Sequence, residues 1–243
     1  MEHIVLFSGG ASSAYVAKLV IKKYGKENTI LLHTPTYAEH YTADLFREQV
    51  SNYLDVPITT QEDGRSLWDL IQHYKTIPSQ YMPFCTQQLK IVQTDKFIRK
   101  FDNSEICLHY GYDTDEYRRI QKVFARMLIR GIKTEFDLYE NRIKNISVKD
   151  IIQNEWKIEL PQPYKYLKHN NCLPCFKAGK SQFKQFAKYY PNEFDRAIQA
   201  EIDCNYTVFK DCTLKDIRKE VEKNKNQITF LENDFNIPCE CWS

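Results

Sequence analysis

Two sets of residues in this chain have types and spacings suited to chemistry. The first is Ser8-Gly9-Gly10, which ends the apolar run Ile4-Val5-Leu6-Phe7 and is followed by Ser12 and Ser13. A buried strand, a glycine turn and a helix N-terminus in succession make an anion site. Backbone N–H groups and the helix dipole face the turn, and glycine lets a ligand approach the main chain. Nucleotide phosphate and a plain strand-to-helix turn both fit this spacing. The second set is sulfur: Cys172-Leu173-Pro174-Cys175 is a CxxC, Cys85 follows Pro83-Phe84, and Cys239-Glu240-Cys241 comes near the far end. Two thiolates at CxxC spacing can hold one metal from a single turn. A cysteine that opens a helix, as Cys85 is expected to, has its thiolate favoured by the dipole, whereas simple burial is the competing role for any one cysteine.

These residues need elements to position them. Ile4–Phe7, Thr29–Thr34, Ile58–Thr60 and Glu105–Gly111 read as short strands. Between them lie helical patterns: Ala14, Val16, Ala17, Leu19, Val20 and Ile21 with Ser12 and Ser13 as hydroxyl caps, then Ala43 to Leu54, then Ser66 to Tyr74. This alternation predicts βαβ units, a parallel sheet, and a ligand at its C-terminal edge, where Glu39 and His40 fall after the second strand. Beyond about Asn145 the strand signals fade. Helices are expected at Val148–Asn154, Ser181–Tyr190, Pro191–Ile202 and Leu214–Asn224. The chain thus divides into an α/β unit over residues 1–160 and a helical, cysteine-containing extension over 161–243, joined at Leu160-Pro161-Gln162-Pro163.

Composition narrows the class. With 243 residues, 42% hydrophobic and 27% charged, an ordered globular protein is expected, and a net charge of +2 gives no global argument for nucleic acid or membrane. The apolar start is too short for a signal peptide and no run approaches a membrane span, so a cytoplasmic location without a membrane partner is expected. In a reducing compartment, eight cysteines point to metal or redox chemistry rather than to disulfides. Lys177, Lys180, Lys184 and Lys188 recur every three or four residues. A solvated face is the first expectation for that stripe, and contact with a nucleic-acid backbone the second.

Four elements in order carry a family resemblance from Phe7 to about Tyr190. SGGxxS after the first strand resembles the PP-loop of the nucleotide alpha-hydrolase superfamily, with Ser12 where aspartate is usual. Glu39-His40 resembles the element after the second strand in phosphoadenylyl-sulfate (PAPS) reductase-like proteins. Cys85-Thr86 through Leu89-Lys90 resembles CTxxLK, and Gly111, Asp115, Glu116 and Arg119 match GxRxDExxR. Asn171-Cys172 with Cys175 resembles NCxxC. Asp113 stands where the pattern has arginine, so the grip on an anion is expected from Arg118, Arg126 or Lys90.

The resemblance implies a doubly wound α/β sandwich of adenine nucleotide alpha-hydrolase type with an α-helical C-terminal extension. It implies ATP or a related adenylate, with Mg²⁺, held by Ser8, Gly9, Gly10, Ser12 and Ser13, near Glu39, His40, Gly111, Asp115 and Glu116. ATP would be cleaved to AMP and pyrophosphate, with Lys90 and Arg119 neutralising the leaving group. An acceptor, either a nucleic acid or a small molecule, would be activated for sulfur or nitrogen transfer. Three metal arrangements stay open. Cys85, Cys172 and Cys175 could hold a 4Fe-4S cluster with one of Cys239 and Cys241, or hold it alone as in some PP-loop tRNA thiolases. Alternatively, Cys172, Cys175, Cys239 and Cys241 could form a Zn²⁺ site. The cluster is preferred because Cys85 falls at the expected active edge. One alternative function is sulfonucleotide reduction, since Glu240-Cys241 matches the start of the ECGxH nucleophile motif. Another is a nucleotide- and metal-binding protein without turnover.

Overall fold

The computed structural model describes residues 1–143 and 145–224. In chain order the elements are β1 (Glu2–Leu6), α1 (Ala11–Tyr24), β2 (Thr29–His33), α2 (Thr42–Leu54), β3 (Ile58–Thr60), α3 (Leu67–Tyr74), α4 (Phe84–Thr86), a π-helical turn (Gln87–Ile91), α5 (Val92–Ile98), β4 (Ile106–His109), α6 (Tyr117–Ile129), β5 (Lys133–Glu135), α7 (Asp137–Glu140), α8 (Asn145–Asn154), α9 (Lys180–Tyr189), α10 (Pro191–Cys204) and α11 (Leu214–Lys223). Among the described residues no helix is long and apolar enough to cross a membrane.

The five strands form one sheet, ordered β3-β2-β1-β4-β5, with every neighbouring pair parallel. Period-two alternation in β1 sends Val5 and Phe7 to a core shared with α1, α2 and α8. It sends Ile4 and Leu6 to a core shared with α5 and α6. Helices therefore cover both faces, as in a doubly wound α/β fold. A third apolar core joins α3 to α9, α10 and α11 through Phe176, Phe183, Phe186 and Phe194. The chain leaves β1 for β2 on one side and later returns to place β4 on the other. The strand order thus reverses between β1 and β4, which opens a crevice at their C-terminal ends.

The sequence pattern had no signal for β5, whose Lys-Thr-Glu carries no apolar run because it pairs only at the sheet edge, beside β4. The expected hydroxyl caps on α1 are also corrected. Gly10 is the N-cap and has no side-chain cap bond, while Ser13, inside the first turn, donates its hydroxyl proton to the Gly10 carbonyl at 2.9 Å.

Candidate functional site

The crevice holds a cleft of about 320 Å³, within the size range of small-molecule sites. Its floor is the turn leaving β1. Gly9 sits at φ +78°, a conformation that side chains rarely adopt, and a Cβ there would also strike the Arg47 guanidinium. Arg47 is buried beneath the turn, donating to the Ser8 carbonyl at 3.2 Å and pairing with Glu39 and Asp44. Ser8 and Ser13 hydroxyls lie 3.3 Å apart. The opposite wall begins at Gly111, directly after β4 and Tyr110. A Cβ on Gly111 would stand 3.0 Å from the Ser13 nitrogen and 3.2 Å from the Ser12 carbonyl carbon, so only glycine lets the two turns touch.

Of the residues singled out from sequence, Ser8, Gly10, Ser12, Ser13, Glu39, Lys90, Gly111, Asp115, Glu116, Arg119 and Cys172 line this cleft. Gly9 faces Arg47 instead. His40 lies outside the cleft wall, bonded to the Thr42 hydroxyl at 2.7 Å at the start of α2 and packed beside Tyr41 and Tyr190. Asp113 does line the cleft, but its carboxylate caps the turn that leads into α6, accepting from the Asp115 amide while Glu116 accepts from the Asp113 amide. Arg118 is exposed and is not part of the wall, and Arg126 turns to the Tyr110 hydroxyl. The cationic groups at the cleft are therefore Lys90, Arg119 and Lys168. Arg119 pairs with Glu116 and lies 4.3 Å over the Tyr112 ring. Burial pushes the Glu116 carboxyl up in spite of that partner.

Sequence reasoning missed the cover. The segment after α8 crosses the loop: the Tyr164 hydroxyl accepts the Ala11 N–H at 3.0 Å, and the Asn170 amide donates to the Gly9 carbonyl at 3.0 Å. Lys168 and His169 join the wall, and burial holds the His169 pKa down at about 4. No periodicity marks such residues, because they belong to irregular backbone. Three buried polar atoms on this wall lack a partner: Arg119 Nε, the Tyr112 hydroxyl and Asn170 Oδ1. Buried polar groups are nearly always satisfied, so these three, of eight such atoms among the described residues, offer contacts to a polar ligand.

A second, smaller cavity lies behind Lys90 and Cys172, which line both spaces. Cys85 and Cys175 line it too, with Thr36, Phe176 and Lys177. Lys177 therefore leaves the expected solvated stripe. It is 6% exposed and donates to the Thr86 hydroxyl at 2.9 Å, because it precedes α9 in a loop that turns inward. The rest of the series stays at the surface, with Lys180 paired to Asp211 and Lys184 bonded to Glu220 at 2.7 Å. Burial pushes the Cys172 thiol up to about 12 and raises Cys175 as well; Cys172 also contacts the Thr36 hydroxyl at 3.2 Å.

The donor set of three thiols beside two ammonium groups suits a soft metal or cluster chemically. The three sulfurs do not all lie within 4.8 Å of one another, so as they stand they do not form a mononuclear site. Cys239 and Cys241 lie outside the described residues.

Fold and site together define an all-parallel α/β protein with a polar cleft at its topological switch point. No family model matches this chain, and no curated protein matches it.

Proposed function

We propose that this chain is a PP-loop enzyme of the PAPS reductase-like kind, with an adenine nucleotide alpha-hydrolase-like fold, acting in the cytoplasm on ATP or a related adenylate. The observation that carries the reading is the Ser8-Gly9-Gly10 turn at the switch point, in a cleft whose wall keeps three buried polar atoms without partners. The Ser12 and Ser13 amides and the Ser8 hydroxyl would hold phosphate oxygens, with the Ser13 hydroxyl turning from the Gly10 carbonyl to the ligand, while the Ala11 amide stays with Tyr164. Lys90 and Arg119 would face the pyrophosphate as it leaves the α-phosphate, and stabilising that developing charge would be their main contribution. Asp115 and Glu116 supply oxygen donors of the type Mg²⁺ takes, and the bound ion would add charge neutralisation. Asn170 and Tyr164 hold the loop in place. An acceptor adenylylated in this cleft would then be displaced by a sulfur or nitrogen nucleophile.

A second reading is sulfonucleotide reduction with Cys241 as nucleophile, and one observation favours it: a further cysteine, Cys172, lines the same cleft. Calorimetry with ATP and with PAPS, followed by pyrophosphate and sulfite assays, separates the two. Binding of ATP with pyrophosphate release supports the first reading. Binding of PAPS with sulfite formation supports the second. Tight ATP binding without turnover leaves a nucleotide-binding protein, and no binding of either nucleotide overturns the nucleotide assignment.

A further inference from the structure

The face of the sheet that packs on α1 carries a polar cluster that the cleft does not use. In the register between β1 and β4, His3 stands beside Cys107, and His109 lies two residues further along the same face. All three are buried, and one ligand atom from each lies within 4.8 Å of the others. Nδ1 of His3 and Nε2 of His109 are 3.0 Å apart. The other nitrogen of His109, Nδ1, donates to Asp137 at 2.8 Å, so its Nε2 is directed inward as an acceptor. The His3 ring is fixed by stacking on Tyr24 at 3.5 Å. Glu135, the neighbouring carboxylate, is bonded by Lys23, Tyr24 and Lys133 at 2.8–3.0 Å, which balances its charge locally.

We propose that His3, Cys107 and His109 form a buried site for a zinc-type divalent cation, joining the two central strands behind the cleft. Two imidazoles and a thiolate are the donors that select zinc over magnesium or calcium. A carboxylate on the outer nitrogen of a ligating histidine, as Asp137 sits on His109, is the usual arrangement behind such a ligand. On binding, the Cys107 thiol loses its proton to solvent. The proton between the two rings moves to Nε2 of His3, so that Nδ1 of His3 and Nε2 of His109 both present lone pairs. None of the residues lining the thiol cavity takes part, and the proposal stands whether or not the cleft takes an adenylate.

The test uses the full-length chain, stripped with a chelator and titrated with Co²⁺. The expected result is a single equivalent bound, with a tetrahedral d–d spectrum and a thiolate-to-cobalt charge-transfer band. Cys107→Ala should abolish the charge-transfer band, and His109→Gln should weaken binding at least tenfold. The Cys172→Ser, Cys175→Ser double variant should keep both features. If the wild-type chain binds no cobalt, the proposal fails. It fails equally if the band survives in Cys107→Ala or disappears in the double variant, which would move the metal to the thiol cavity. Because the wild-type spectrum and the double variant decide the matter, misfolding of Cys107→Ala alone would not protect the idea.

Discussion

The cleft and the thiol cavity share a wall, yet they are built on different physics. The cleft is made of backbone: two strand ends, a glycine turn at φ +78° and a second glycine pressed on it. The cavity is made of burial, which raises the thiols of Cys172 and Cys175 and lowers the Lys177 ammonium. Lys90 and Cys172 belong to both. A binding surface assembled from main-chain geometry tolerates exchange of its side chains better than exchange of its glycines. A reactive cavity assembled from burial responds in the opposite way.

The largest effect should follow from breaking the cleft alone. Gly111→Val puts carbon against the backbone of Ser12 and Ser13, and overpacking of this kind costs about 2–3 kcal/mol, or roughly 30- to 150-fold in nucleotide affinity. Calorimetry with ATP measures it, and alkylation of Cys175 should be unchanged. Affinity within threefold of wild type would show that the two turns do not form the binding floor. Lys90→Met should strike both regions at once. Losing a charge-assisted contact would weaken ATP binding by about 2 kcal/mol. The Cys172 thiol would also move further up, since Lys90 is the first of the influences that lower it. Slower iodoacetamide labelling of Cys172 with intact ATP affinity would confine Lys90 to the cavity.

The shared wall can be resolved more finely. Cys172 lines the cleft as well as the cavity, and Cys175 lines only the cavity. Saturating ATP should therefore slow alkylation of Cys172 about tenfold and leave Cys175 nearly untouched, as read by peptide mass spectrometry. Equal protection of both would make the two spaces one.

How much of this was legible beforehand follows the same division. The sheet was readable because Ile4–Phe7, Thr29–Thr34 and Glu105–Gly111 are short apolar runs between punctuating residues, as buried parallel strands require. Lys133–Glu135 was not, because an edge strand of three residues needs no apolar pattern. The glycine turn and the DExxR stretch were visible as local spacings. Arg47, Tyr164 and Asn170 were hidden, since their roles depend on what folds against them from 39 to 161 residues away. Lys177 was misplaced for the same reason: its spacing matches a helical stripe, but its backbone precedes the helix.

The last expected effect is on stability and concerns the support beneath the cleft. His33 ends β2, is buried, and donates from Nδ1 to the Phe7 carbonyl at 3.1 Å, one residue before the Ser8-Gly9-Gly10 turn. Burial, with Arg47 adding to it, holds its pKa down at about 4, against 6.5 in the unfolded chain. As pH falls through 6.5 the unfolded chain takes up this proton first, so stability present above that value is lost progressively until about pH 4. Between pH 7 and pH 5 the loss from this one residue is about 2 kcal/mol. His33→Gln keeps an N–H donor for Phe7 but cannot titrate. Urea unfolding at the two pH values should therefore show a smaller drop for the variant than for wild type by about that amount. Identical pH dependence in the two proteins would mean that His33 is protonated in place.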